Sequence, residues 1–170
     1  MSEAISQSGV DARTDKAGAD PAYDLIELFF FAYRDFVSDP DRILAEYGFG
    51  RAHHRVLHFV ARRPGMNIAE LLDILKITKQ SLNRVLKELI DKGYIVQQTG
   101  QSDRRQRLLW PTDQGRALAL RMARLQTRRI ARALPGGEAE EAVMEFLIGM
   151  IDPLERAKVR KRLAGAKMPE

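Results

Sequence analysis

A chain of 170 residues with 45% apolar and 30% charged residues is sized for one domain plus a short arm. Lys and Arg exceed Asp and Glu by 28 to 23, a net charge of +5, which signals a polyanionic partner only where the basic residues cluster. The absence of cysteine excludes disulfides, thiolate zinc sites, a cysteine nucleophile and thiol redox sensing, and with no membrane-length apolar run or signal-peptide core a soluble, cytoplasmic protein is expected.

Residues 1–20 are small and polar, and they predict a disordered, slightly acidic arm. Asp20-Pro21 places an N-cap before a proline at the first helical position. Leu25, Ile26, Leu28, Phe29, Ala32, Tyr33 and Phe36 then recur at helical spacing, and Ser38-Asp39-Pro40 is expected to stop that helix. The stripe is broader than a terminal helix normally buries, which suggests a partner surface. A short helix is predicted over 41–47, with a break at Gly48-Phe49-Gly50. The next helix runs from Arg51 to about Arg63, with Ala52, Val56, Leu57, Phe59 and Val60 inward, and Pro64-Gly65 ends it.

Residues 67–75 open on Asn67 with Glu70 three residues on, a capping-box arrangement. Lys76-Ile77 turns the chain, and a second helix over 78–92 is capped by Thr78 and ended by Gly93. The pattern then becomes strand-like. Residues 94–110 read as a β-hairpin turning at Gly100-Gln101-Ser102-Asp103, with Pro111 ending the second strand. Thr112 caps a long helix to about Leu134, and Pro135-Gly136-Gly137 breaks the chain. A last helix from Glu138 to about Leu163, kinked or split at Pro153, is expected to bury Ala142, Val143, Phe146, Leu147, Met150, Ile151 and Leu154. The class is mainly α with a small β-hairpin.

The 78–92 helix carries the chemistry. Leu82, Val85, Leu86, Leu89 and Ile90 form one face; Lys79, Gln80, Asn83, Arg84 and Lys87 form the other, with Ser81 at its edge and Thr78 as cap. Arg and Lys pair with guanine, Asn and Gln with adenine, and a capped helix, tight turn and second helix make a helix-turn-helix that enters the major groove. A solvated charged face is the default for any surface helix, but the hairpin shifts the balance. Its tip brings Arg104, Arg105 and Arg107 onto a projecting ribbon suited to the narrow, electronegative minor groove. Asp103, the one carboxylate there, is read as orienting Arg105 through an Arg–carboxylate pair.

The stretch Asp103-Arg104-Arg105-Gln106-Arg107-Leu108-Leu109-Trp110-Pro111-Thr112-Asp113-Gln114-Gly115 resembles the wing signature of the MarR family of bacterial winged-helix transcription regulators. Residues 50–57 resemble that family's helix leading into the helix-turn-helix, and 81–89 with 91–95 its recognition helix and the chain that follows. The likeness covers 49–134, and more loosely 21–165. Pro111 stands where the family usually has Leu, so the second strand is expected to stop a residue early; Gly50 stands where Thr or Ser commonly caps.

The resemblance implies N-terminal dimerisation helices over 21–47, a winged helix-turn-helix DNA-binding domain over 48–111 (helix-turn-helix 67–92, wing 94–110) and long C-terminal dimerisation helices over 112–165. The implied protein is a homodimer on double-stranded DNA, reading a pseudo-palindrome with half-sites ~34 Å apart. The basic run Arg156-Ala157-Lys158-Val159-Arg160-Lys161-Arg162 is read as a charged helix end near that interface rather than as a DNA tail. On the 112–134 helix, Arg116 is placed near a phosphate, while Arg121, Arg124, Arg128, Arg129 and Arg132 are assigned to a solvated face or dimer pairs.

His53, His54 and His58 share one helix, and His54 and His58 have a four-residue spacing that zinc or haem iron can use. With no third ligand evident they read more readily as core or interface residues, so no metal or cofactor is assigned. The resemblance also implies a small-molecule effector between dimer helices and winged domain, for which Phe30, Tyr33, His53, His54 and Trp110 are the candidate lining. A protein-binding winged helix tends to lack the wing arginines and polar recognition face kept here, and an enzyme needs a nucleophile–base pair or carboxylate dyad that no local motif supplies.

Overall fold

A computed structural model describes residues 20–100, 104–134 and 136–165. The chain divides into two compact units, Met1–Arg34 and Asp35–Glu170. The expected arm over 1–20 lies almost wholly outside the described residues, as does Asp103. Helices α1 (Tyr23–Glu46) and α2 (Arg51–Arg62) precede a two-residue strand β1 (Met66–Asn67). Helices α3 (Ile68–Leu75) and α4 (Lys79–Asp91) follow, then strands β2 (Ile95–Thr99) and β3 (Arg107–Pro111). Helices α5 (Asp113–Ala133), α6 (Glu138–Met150) and α7 (Pro153–Ala164) complete the chain. The fold is mainly helical with one small antiparallel sheet in the order β1-β3-β2.

In the first unit the described part of α1 is exposed throughout, including Leu25, Leu28, Phe30, Phe31 and Tyr33. The second unit has one continuous core. Val56, Leu57 and Val60 of α2, Leu71 and Leu75 of α3, and Leu82, Val85, Leu86 and Leu89 of α4 meet Ile95, Leu109, Leu118 and Met122 there. Each buried side chain of this size is worth about 1.5–3 kcal/mol relative to exposure, so the helix-turn-helix is held chiefly by its apolar face.

Several sequence expectations require correction. Helix α1 does not stop at Pro40 but runs on to Glu46, absorbing the short helix expected over 41–47. Proline in a helix interior costs ~3 kcal/mol. Pro40 is itself buried, and the turns around it bury Val37, Ile43 and Leu44, which offsets that cost. Strand β3 includes Pro111, paired in register with Ile95, rather than ending before it; a proline at a strand end forfeits one donor and keeps its carbonyl. Ala52 is exposed rather than inward. Of the last helical stretch, only Ile148 is buried, while Ala142, Val143, Phe146, Leu147, Met150 and Leu154 are exposed and Ile151 is half-buried. Among the described residues, that apolar face stays largely exposed. Pro153 splits this stretch into α6 and α7: Asp152 caps α7 by accepting from the Leu154 N–H (2.8 Å), and Pro153 occupies the first turn.

Candidate nucleic-acid interface

The presentation of α4 begins with α3. The Glu70 N–H donates to Asn67 Oδ1 (2.9 Å) and the Asn67 N–H donates to Glu70 Oε2 (2.8 Å), closing the capping box that the sequence predicts. Helix α3 ends on Lys76 in a left-handed conformation (φ 51°, ψ 43°). The ~1 kcal/mol cost of that conformation for a side-chain-bearing residue is set against ion pairs from Lys76 to Asp73 (2.8 Å) and Glu155 (3.5 Å). Two residues on, Thr78 caps α4: its hydroxyl accepts from the Ser81 N–H (3.2 Å) and donates to Ser81 Oγ (2.9 Å).

Leu82, Val85, Leu86 and Leu89 anchor α4 in the core, and the opposite face is open. Lys79, Gln80, Ser81, Asn83, Arg84 and Lys87 are all exposed. Lys87 is paired with Asp91 one turn on, which raises its pKa. The orientation of α4 is fixed by a contact that the sequence analysis did not assign. His53 Nδ1 accepts from the Gly50 N–H (3.1 Å), leaving the proton on Nε2, which donates to Glu88 Oε2 of α4 (2.8 Å). The ring also stacks on Phe49, 4.7 Å between centroids. His53 therefore satisfies the Gly50 N–H, the reciprocal half of a capping box, and ties α2 to α4. A histidine three residues after a glycine cap was the available signal.

Strands β2 and β3 pair from Ile95↔Pro111 to Thr99↔Arg107 and project the wing. At the tip end of the ladder the Gly100 N–H donates to the Gln106 carbonyl (3.0 Å). Arg104 and Arg105 are exposed beyond that closure. Arg107 is also exposed, but its guanidinium donates to Thr99 Oγ1 (2.9 Å) and the Arg104 carbonyl (3.3 Å), so it braces the hairpin. Thr112 locks the wing to α5. Its N–H donates to the Tyr94 carbonyl (3.1 Å), its hydroxyl donates to the Gly93 carbonyl (2.7 Å), and its oxygen accepts from the Gly115 N–H (3.0 Å). A Cβ on Gly115 would lie 2.0 Å from the Tyr94 carbonyl oxygen, so only glycine fits that crossing. The Thr112…Gly115 spacing is thus the joint between wing and long helix.

The candidate effector residues do not converge within one unit. Phe30 and Tyr33 stand in the first unit, 69% and 58% exposed. In the second, His53 has the role above, and Trp110 lies against Gly65, where a Cβ would come within 2.9 Å of the indole. His54 is buried among α2 contacts, its ring 6.4 Å from that of His58, and burial lowers its pKa. His58 lines a small cleft with Ala61, Arg62, Arg116, Ala119, Leu120 and Ala123. Burial pushes its pKa down from 6.5 to about 4, with His54, Arg62 and Arg63 adding to the effect. Among the described residues no group of three or more His, Asp or Glu is placed to hold a metal ion, and no helix is long and apolar enough to cross a membrane.

The basic C-terminal run is largely occupied within its own unit. Arg160 grips Glu145 with two bonds (3.0 and 2.7 Å), and Arg156 donates to the carbonyls of Ile151 (2.9 Å) and Gly149 (2.7 Å). Arg162 pairs with Asp73 of α3, and Lys158 reaches Asp73 (3.8 Å) and Glu155 (3.4 Å). The bonds from Lys76 and then Arg162 hold the Asp73 carboxyl down at about 2. Asp73 and Arg162 are 89 residues apart and gave no local signal.

A model of the MarR family matches residues 47–106. The chain is 44% identical over 133 residues to the HTH-type transcriptional regulator PetP of Rhodobacter capsulatus, a match covering 77% of this chain and 80% of the relative. Among solved structures, FabT of Streptococcus pneumoniae, in complex with DNA, superposes with a TM-score of 0.65 at 19% identity, over 76% of this chain and 93% of that one. A MarR-family regulator from Listeria monocytogenes, in complex with a 26mer DNA, gives 0.63 at 22% identity, over 89% and 99%. At such identities the two structures speak for the fold.

Proposed function

This chain belongs to the MarR family of transcription regulators, and from that premise we propose that it binds a pseudo-palindromic DNA operator as a homodimer. Helix α4 enters the major groove of each half-site and the β2–β3 wing follows the minor groove. The observation that carries this reading is the division of α4 into a face buried in the core and a face whose six polar residues are all exposed. A helix fixed on one side and exposed on the other presents base-reading groups at little entropic cost.

In this reading Lys79, Lys87 and the wing arginines Arg104 and Arg105 supply phosphate and minor-groove attraction, with Arg107 bracing the hairpin. Gln80, Ser81, Asn83 and Arg84 supply base discrimination, and the Thr78 cap sets the helix start. The output is occupancy of DNA rather than turnover of a substrate, which fits a cytoplasmic protein. A small-molecule effector releases the DNA by binding more tightly to a dimer whose two winged helices stand at another separation.

The test is a competition among single-base variants of DNA taken from upstream of the protein's own gene. Arg84→Ala is expected to lose about 1–3 kcal/mol of discrimination at one base position in each half-site and to keep the others. Loss spread evenly over all positions, or no loss, contradicts a base-reading role for α4.

A further inference from the structure

Of the α5 arginines expected on a solvated face or in dimer pairs, Arg121, Arg124 and Arg128 line a cavity. Between the second half of α1 and one flank of α5 lies a cleft of about 700 Å³, within the ~300–1,000 Å³ range of small-molecule sites. Arg42, Arg121, Arg124 and Arg128 wall it, with Asp39 as the one carboxylate among its lining residues. Ile43, Leu120 and Leu125 give it an apolar floor. An adjoining cleft shares Asp39, Leu125 and Arg128 and extends to Arg132. The smaller cleft lined by His58 shares only Leu120 with the first.

The charge in this cleft is unbalanced. Asp39 is already held by Arg129 (2.9 Å) and Arg42, which lower its pKa. Arg121 is steadied by Glu46 (3.6 Å) and the Tyr47 hydroxyl (3.3 Å). Among the described residues, Arg124, Arg128 and Arg132 have no carboxylate partner. Positions 121, 124, 128 and 132 fall on one face of the helix, and Arg124 and Arg128 are one turn apart, ~6 Å along the axis. Like charges in a row repel unless an anion neutralises them, and guanidinium groups pair with carboxylate and phosphate in a two-bond fork.

We propose that this cleft binds a small, elongated organic dianion, two carboxylate or phosphate groups joined by a short apolar body. Arg124 and Arg128 grip the anionic ends, Arg42 and Arg121 close the walls, and the body lies on Leu120 and Leu125. This site is independent of the DNA reading.

The test is calorimetric titration of the full chain with adipate, with hexane-1,6-bisphosphate and with the monoanion hexanoate. At least one dianion is expected to bind once per chain, with hexanoate roughly tenfold weaker or worse. The two dianions distinguish a carboxylate from a phosphate preference. The double substitution Arg124→Ala/Arg128→Ala is expected to weaken binding at least roughly tenfold, and Arg124→Lys/Arg128→Lys, which keeps the charge but not the fork, to fall between. Circular dichroism checks that each variant is folded, and the wild-type titrations stand even where a variant is not. Failure of both dianions to bind, equal binding of hexanoate, or undiminished binding by the folded alanine variant overturns the proposal. So does a dimer loosened by the alanine pair when wild type takes up no dianion, because the acidic first turn of α6 in a second copy (Glu138, Glu140 and Glu141) then fills the cleft.

Discussion

Arg105 and Gly115 sit ten residues apart and separate the two kinds of work a residue does here. Arg105 is exposed at the wing, so Arg105→Ala is expected to weaken operator binding at least roughly tenfold while the thermal midpoint stays within a degree or two. Anisotropy titration and a melting curve on the same sample check this; wild-type affinity in the variant removes the wing from the mechanism. Gly115→Ala drives a methyl into the Tyr94 carbonyl at the wing–α5 joint. It is expected to cost ~2–3 kcal/mol of stability, read as a lowered urea midpoint. His53 combines both kinds of work, since its ring caps α2 and holds Glu88 of the recognition helix.

At the scale of elements, caps and breaks were more legible than packing partners. Asn67 with Glu70, Thr78, Thr112 and the proline split at 153 are local signals, and the helix cap or break that each makes closes within three or four residues. Thr78→Ala should therefore cost about 1 kcal/mol, measured by chemical denaturation, and weaken DNA binding through fraying of the α4 start. Two features were not legible for the same reason. Strand β1 is two residues long and exists only because Leu108 and Leu109 offer it an edge. Helix α1 survives Pro40 only because Ile43 and Leu44 find a core built by residues far along the chain. The polar face of α4 could be read from periodicity alone. The His53–Glu88 tie spans 35 residues and the Asp73–Arg162 tie 89, and no window of sequence contains either.

At the scale of the whole molecule, α1 and α6 each expose large apolar side chains, among them Phe30 and Phe146. Patches of this kind mark interfaces. The dimer reading predicts that sedimentation finds two chains together at micromolar concentration and that Phe30→Glu or Phe146→Glu shifts the equilibrium to single chains. Stability should also depend on pH through His58. The group faces His54, Arg62 and Arg63 around α2 and Arg116 from α5, and its pKa falls from 6.5 to about 4. Between those values the unfolded chain takes up a proton that the fold refuses. Stability is therefore full above pH 6.5 and declines as pH falls toward 4, by on the order of 3 kcal/mol. His54, lowered in the same direction, adds to the slope. His58→Gln should flatten most of it in urea denaturation across that window; an unchanged slope assigns the pH dependence elsewhere.

The measurement closest to the central claim is binding to DNA from upstream of the protein's own gene, beside random DNA of equal length, by fluorescence anisotropy at several salt concentrations. The account predicts tight binding at two chains per site, with the preference for the upstream DNA persisting as salt is raised. Equal, weak binding to both DNAs that vanishes with salt would be a basic protein meeting phosphate, and would contradict it.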